Sequence, residues 1–474
     1  MSVLTFNRRR AGSREWTALA LFCGAVAGVA VATMGPMVGV AVIVGALTLV
    51  GVISTPGIVL AAYLLIGFYK GALQEYSPID ITVYLALANA VQVVPLLLNS
   101  RPRAVSRLGI VLWLSLGLLV LAGVLYAPDQ SLGMGKAVSY WALVVVPIVP
   151  AAMRVGAEPR HMRQFLWTFF AMGTVTVALG LAQLSGSDRL VFLGMNTIQV
   201  ARAALLVPLL GIAFVLPQRR LPTSAIAAVA IPASFIVALA SGSRGPLIML
   251  MVVGAVGAVA YFLRSHTIRW RLVGGVAGLA VASVVVVSMA APSLPAPSLG
   301  RFTILEDFVQ SALAGDQNIA GDTSAAARLQ LFQLAIDTFE EHPLIGSGTG
   351  GFETRSVAAM GPGANTYPHN AIFQIAAELG LLGLAPFFGI LLIGLLRRLP
   401  NDPAFVALRA LFLFYILNAM VSGDIFADRE TLGIVFLILA VEAPGALAAL
   451  KPTRTSQAQA SPASGNARFL QPWN

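Results

Sequence analysis

Four side chains in this 474-residue chain have the type and placement to do chemistry together. Arg202 lies about one turn into the apolar run that opens at Asn196-Thr197-Ile198-Gln199. Arg244 sits in Ser241-Gly242-Ser243-Arg244-Gly245-Pro246, a turn between two apolar runs. Arg328 lies on an amphipathic stretch, and His369 stands in Tyr367-Pro368-His369-Asn370 at the head of another apolar run. The planar fork of arginine suits phosphate oxygens. His369 sits at the membrane-surface end of its run, where an imidazole could reach both water and a lipid-borne substrate. Each arginine alone could be snorkelling to a membrane interface, but ionisable groups at or within a bilayer are functional candidates by default. Three arginines and one histidine on a single side are a less ordinary set, and the arginines read as an anion site.

Asn370 and Glu378 are the supporting residues. Glu378 falls nine residues after His369, so a regular helix turns it about 180° away. The two do not make a simple acid–base pair, and Glu378 is expected to hold an arginine or a backbone amide. Gly380 and Gly383 permit close helix packing or a bend. The run Gly346-Ser347-Gly348-Thr349-Gly350-Gly351 has the glycine content of a dinucleotide fingerprint, but it follows a helix rather than a strand. It reads as a flexible loop whose amides approach an anion. Cys23 is the single cysteine, and His161, His266, His342 and His369 show no metal-ligand spacing. Neither a metal nor a cofactor is expected.

The arginine-bearing amphipathic stretch is a helix over residues 324–341, capped by Asp322-Thr323 and stopped by Pro343. Arg328, Leu331, Phe332, Ala335 and Phe339 share one face. Gln330, Gln333, Asp337, Glu340 and Glu341 take the other. Arg328 therefore lies on or beside a buried stripe and needs a partner, either a salt bridge or a bound anion.

The elements that must position these groups are membrane helices. The chain is 58% hydrophobic and 11% charged, with a mean hydropathy of +0.84, against roughly 45–50% and 25% for soluble domains. That excludes a cytosolic enzyme, a disordered chain and a fibrous one. The fold class is an all-α polytopic integral membrane protein. Apolar runs over 16–34, 36–53, 56–70, 80–98, 106–126, 136–153, 161–184, 197–216, 222–240, 246–263, 271–290, 369–396, 404–421 and 431–449 predict twelve to fourteen spans. The run 56–70 is short for a span, and a re-entrant segment is the alternative reading. Residues 1–290 form an N-terminal bundle, 291–368 a large outer loop, 369–450 a C-terminal bundle, and 451–474 a disordered cytoplasmic tail.

The net charge of +10 would suggest nucleic acid in a soluble domain. Here it sets topology instead. With the N-terminus in the cytoplasm as an uncleaved first helix, 21 of the 30 basic residues fall inside, against four acidic ones. The remaining nine share the outer side with sixteen acidic residues. Both termini are then cytoplasmic, and Arg202, Arg244, Arg328 and His369 lie on the outer side. No topological reason puts arginines there.

Ser243-Arg244-Gly245, Arg328 leading into Glu341-His342-Pro343-Leu344-Ile345-Gly346-Ser347-Gly348, and His369-Asn370 followed by Glu378-Leu379-Gly380-Leu381-Leu382-Gly383 occur in one order and spacing. In this the chain resembles the O-antigen ligase and polymerase (Wzy-type) superfamily, membrane glycosyltransferases that act on polyprenyl-diphosphate-linked glycans. The motifs cover about residues 196–383, and the first 190 residues match by hydropathy alone. The resemblance implies a bacterial inner-membrane enzyme that moves a glycan from undecaprenyl diphosphate to an acceptor hydroxyl, without metal and with inversion. Arg202, Arg244 and Arg328 would bind the diphosphate, and Arg328 and His369 would serve catalysis, His369 as the base on the acceptor hydroxyl, for which an ordinary pKa near ~6.5 is suitable. The acceptor would be lipid A–core for a ligase, or a further repeat unit for a polymerase of O-antigen or exopolysaccharide. A lipid-linked oligosaccharide flippase has a similar number of spans, but it predicts charge along a central path rather than at one outer site. Membrane lipid is a partner and nucleic acid is not. The sequence does not fix the oligomeric state.

Overall fold

A computed structural model describes residues 48–74, 77, 80–98, 107–184, 190–264, 323–361, 367–400, 402–426 and 428–441. Its elements are α1 (Pro56–Gln74), α2 (Ile81–Leu98), α3 (Arg107–Tyr126), α4 (Gln130–Ala157), α5 (Pro159–Ala182), α6 (Thr197–Gln218), α7 (Leu221–Ala240), α8 (Arg244–Arg264), α9 (Thr323–Glu341), α10 (Gly351–Met360), α11 (Ala371–Leu396), α12 (Pro403–Ser422) and α13 (Arg429–Ala440). Among the described residues there is no strand. Among the described residues eight helices, α2 to α7, α11 and α12, are long and apolar enough to cross a membrane. The fold is that of a multi-pass α-helical membrane protein.

The short run 56–70 becomes a bent pair, Thr48–Ser54 and Pro56–Gly71, meeting at 95° as a broken span or a re-entrant loop. The expected runs 16–34 and 271–290, most of 36–53, the loop 291–322 and the tail lie outside the described residues. Residue 322, half of the expected cap of α9, lies outside them too.

Local chemistry sets the helix starts. The first turn of a helix leaves N–H groups without intrahelical partners, and a short polar side chain before it accepts them. Asp80 accepts Thr82 N–H at 2.8 Å, Asp402 that of Ala404 at 2.8 Å, and Asp428 that of Thr431 at 3.1 Å. Asn196 and Gln199 form a reciprocal capping box on α6, both bonds at 2.9 Å. Asn370 caps α11 through Ile372 N–H at 2.9 Å and Phe373 N–H at 3.2 Å.

Interior prolines free carbonyls, and the packing takes one of them up. Pro147 in α4 leaves the carbonyl four residues back, on Leu143, without its helical donor. The Tyr63 hydroxyl of α1 donates to that carbonyl, and a π turn over Trp141–Val145 precedes the proline. Most buried apolar residues form one core running through α1 to α8 and α11 to α13. A second, small cluster of Leu331, Ala335, Phe352 and Ala377 fastens α9 and α10 to α11. Leu97, Leu125, Leu221 and Val229 stay exposed around the bundle, the apolar belt a lipid core would cover.

Candidate functional site

The last turn of α12 organises the site. Arg202, one turn into α6, is buried and donates from Nη2 to the carbonyls of Asn418 at 3.2 Å and Ser422 at 3.4 Å. Its Nε is buried with no hydrogen-bond partner among the described residues. Arg328 reaches the same turn from α9, its Nη1 3.4 Å from the Val421 carbonyl. These bonds lie at the long end of the range and are correspondingly weak. Arg244 heads α8 beside this turn, for a Cβ added to the next residue, Gly245, would stand 3.9 Å from Val421 Cγ1. The structure therefore brings Arg202 and Arg328 onto one helix terminus, with Arg244 adjacent.

His369 completes the corner. Its backbone adopts the left-handed conformation, φ 54°, which costs a non-glycine residue roughly 1–2 kcal/mol and ends the loop before α11. Its ring packs on Tyr367 with centroids 4.4 Å apart, and Nδ1 is buried with no hydrogen-bond partner among the described residues. Burial, and secondly the Arg328 guanidinium, push the imidazole down to about 4. The sequence-based expectation of an ordinary value near ~6.5 therefore does not hold for this imidazole. Burial raises the Tyr367 phenol, Asp424 adds to the rise, and Arg202 and Arg328 oppose it. Tyr367 thus feels both arginines and Asp424.

Glu378 does not join this corner. It is fully buried, accepts the Gly350 N–H on Oε2 at 2.7 Å, and holds Lys136 Nζ 3.6 Å from Oε1. The glycine-rich segment is no flexible loop. Gly380 (φ 61°, ψ −158°) breaks α11, and residues 343–348 repair the break. Ser347 and Gly348 N–H donate to the carbonyls of Ala377 and Glu378 at 2.8 and 3.0 Å, while Leu381 and Leu382 N–H donate to those of Pro343 and Leu344 at 2.9 and 3.1 Å. The amides expected to approach an anion are spent within the protein, on this splice, on Glu378, on the Gly123 carbonyl of α3, and on the His342 and Gly348 carbonyls. Gly346 and Gly380, both at positive φ, interlock there. A Cβ on Gly346 would strike the Glu378–Leu379 backbone, and one on Gly380 would lie 2.5 Å from the Leu344 carbonyl.

A second charged group adjoins the site and went unread in the sequence. Lys136 of α4 pairs with Glu353 of α10 at 2.9 Å as well as with Glu378, and lies over the Phe426 ring at 5.4 Å. Asp424 accepts Gln374 Nε2 of α11 at 2.8 Å. One signal pointed here: Lys136 is among three lysines in the chain and among the nine basic residues assigned to the acidic side.

Residues 226–388, about a third of the chain, match the family model described as O-antigen ligase (Wzy_C). Over that stretch the chain is similar to the O-antigen ligase family. No curated protein matches the chain. The matched stretch contains Arg244, Arg328, His369, Asn370 and Glu378, and leaves out Arg202, Lys136 and Asp424. Geometry alone brings Arg202 to the others.

Proposed function

We propose that the protein is an O-antigen ligase-like membrane glycosyltransferase that moves a glycan from undecaprenyl diphosphate to an acceptor hydroxyl. The observation that carries this reading is the convergence of Arg202 and Arg328 on the last turn of α12, beside a histidine whose buried Nδ1 has no hydrogen-bond partner among the described residues. Diphosphate oxygens are stronger acceptors for a guanidinium than the long carbonyl bonds there now. Arg202, Arg328 and the neighbouring Arg244 would hold the diphosphate and stabilise the charge that grows on it as the bond breaks.

The acceptor oxygen attacks the anomeric carbon from the face opposite the diphosphate. The new glycosidic bond forms there as the carbon–oxygen bond to phosphate breaks. The bonding pair leaves with the lipid diphosphate, and His369 takes the acceptor proton. In-line displacement inverts the anomeric centre. The lipid diphosphate carries the activation, so no nucleotide and no metal enter the step. The acceptor, lipid A–core or a further repeat unit, separates the ligase and polymerase forms of this one chemistry.

The site is proposed to face the outer side of a bacterial inner membrane, with both termini cytoplasmic. The bounds 1–290, 291–368 and 369–450 belong to that same reading. The test is reconstitution of the full chain in vesicles with a synthetic undecaprenyl-diphosphate glycan and both acceptor types, with EDTA present. Wild type should yield an inverted product, and His369→Ala should lose about 10²–10⁴-fold in kcat with donor binding kept. Full transfer by His369→Ala would remove the base from this mechanism.

A further inference from the structure

A cavity of about 510 Å³ is lined by Asp129, Ser131, Lys136, Ser139, Asp424 and Phe426, and Asp424 connects it to the Tyr367–His369 corner. Its volume falls in the range of small-ligand sites, about 300–1,000 Å³. Two links tie it to the reaction corner. Asp424 accepts Gln374 from the first turn of α11, directly behind His369-Asn370, and Asp424 acts on the Tyr367 phenol together with Arg202 and Arg328.

The lining leaves hydrogen-bonding capacity unused. Asp129 fixes its Oδ1 on the Ser131 and Leu132 N–H groups and the Ser131 hydroxyl, at 2.9, 3.1 and 2.8 Å. Asp424 fixes its Oδ1 on Gln374 Nε2 and Phe426 N–H, the latter at 3.1 Å. Both carboxylates keep an Oδ2 with no hydrogen-bond partner among the described residues. The Lys136 charge is answered behind the wall by Glu353 and Glu378. Fully buried Glu378 still leaves Oε1, the oxygen toward Lys136, without a hydrogen bond. The Leu132 amide, then Ser131, hold the Asp129 carboxyl below its ordinary range, so it is ionised at neutral pH. The cavity therefore presents carboxylate and hydroxyl oxygens over an apolar floor, with a negative balance. Hydroxyl and ammonium groups suit such a wall, and anions are repelled by it.

We propose that this cavity is the acceptor subsite, and that it takes a neutral or amino sugar while rejecting uronic acids and sugar phosphates. The proposal rests on the glycosyl-transfer reading above. It separates the two substrates by charge: the diphosphate goes to the arginines around α12, and the acceptor sugar to the carboxylates around α4, with His369 between their chemistries.

Two measurements on the full chain in lipid nanodiscs test it. In saturation-transfer NMR with chitotriose, the glucosamine trimer and trigalacturonate as probes, the first two should bind and trigalacturonate should bind at least tenfold more weakly. Asp424→Asn retains an acceptor for Gln374 and should narrow that gap several-fold. In the transfer assay, Asp129→Asn and Ser139→Ala should raise the KM for acceptor about tenfold and leave the KM for donor in place. Equal binding of trigalacturonate, no binding of any trimer, or a change confined to donor KM would each overturn the assignment. The two readings fail differently. If glycosyl transfer is wrong, wild type makes no product while sugar binding and its charge preference persist. If the subsite is wrong, transfer proceeds and the variants leave acceptor KM unmoved.

Discussion

The two ends of α12 both attract arginines, and they use them differently. At its N-terminal end Arg163 pairs with the capping Asp402 at 3.0 Å, Arg397 donates from Nε to Val441 O at 3.1 Å, and Arg409 donates to Arg397 O. Each arginine there serves a different stretch of chain. At the C-terminal end Arg202 and Arg328 share one turn, on the carbonyls of residues 418, 421 and 422. A helix C-terminus carries roughly half a negative charge, and both guanidinium groups draw on it. An arginine bonded to carbonyls is thus ordinary in this protein, and two converging on one terminus are not. Convergence is the feature that would suit an incoming diphosphate.

The largest expected effect tests that contrast directly. Arg202→Ala and Arg328→Ala should each lower kcat/KM for the lipid-diphosphate donor about 10²–10³-fold, the loss typical when one donor to a developing anion is removed. Arg163→Ala, at the other end, breaks a part-exposed ion pair and should stay within a few-fold of wild type. Arg328→Lys keeps the charge and loses the fork, and about a tenfold loss should result. Equal losses from Arg163→Ala and Arg328→Ala in a vesicle transfer assay would erase the difference between the two ends.

A second, smaller effect separates the scaffold from the binding residues. Gly346→Ala forces a Cβ into the Glu378–Leu379 backbone at positive φ, and about 2–3 kcal/mol of stability should be lost. The thermal midpoint of the purified protein would fall, while donor affinity per folded molecule stays the same. A variant with wild-type stability would show that the splice does not hold α11.

How much of this was legible beforehand follows from what each feature depends on. The helices were legible because apolar runs and their caps are local: the run 324–341 appears as Thr323–Glu341 and 404–421 as Pro403–Ser422. Arg202, Arg244, Arg328 and His369 stood out because charge near a membrane is rare. The glycine run misled, because its conformation depends on the break at Gly380, set by packing between segments about thirty residues apart. Lys136, Glu353 and Asp424 come from three separate elements, and no spacing along the chain records that they meet. The lowered pKa of His369 was hidden for the same reason, since Arg328 and the burying walls arrive only on folding.

The pH profile carries the smallest effect and the most direct link between His369 and the α12 terminus. Burial disfavours the imidazolium, and Arg328 repels it, so both act to lower the pKa, to about 4. The basic, neutral form is then kept as pH falls through the range where an ordinary histidine, near ~6.5, gains its proton. An ordinary histidine would lose about tenfold in kcat/KM between pH 7.5 and 5.5; here the fall over that interval should be slight. Because kcat/KM reports the free enzyme and kcat the complex, the kcat limb should lie higher, since a bound diphosphate answers the Arg328 charge. Arg328→Ala removes the second cause and leaves the first, so its kcat/KM limb should move up only part of the way toward 6.5. Arg328→Lys keeps a positive charge on the same helix and should leave the limb near wild type. Arg163→Ala, acting at the far end of α12, should not move it at all. A limb at 6.5 in wild type, or one indifferent to Arg328→Ala, would detach the histidine from the arginine corner and leave convergence without its base.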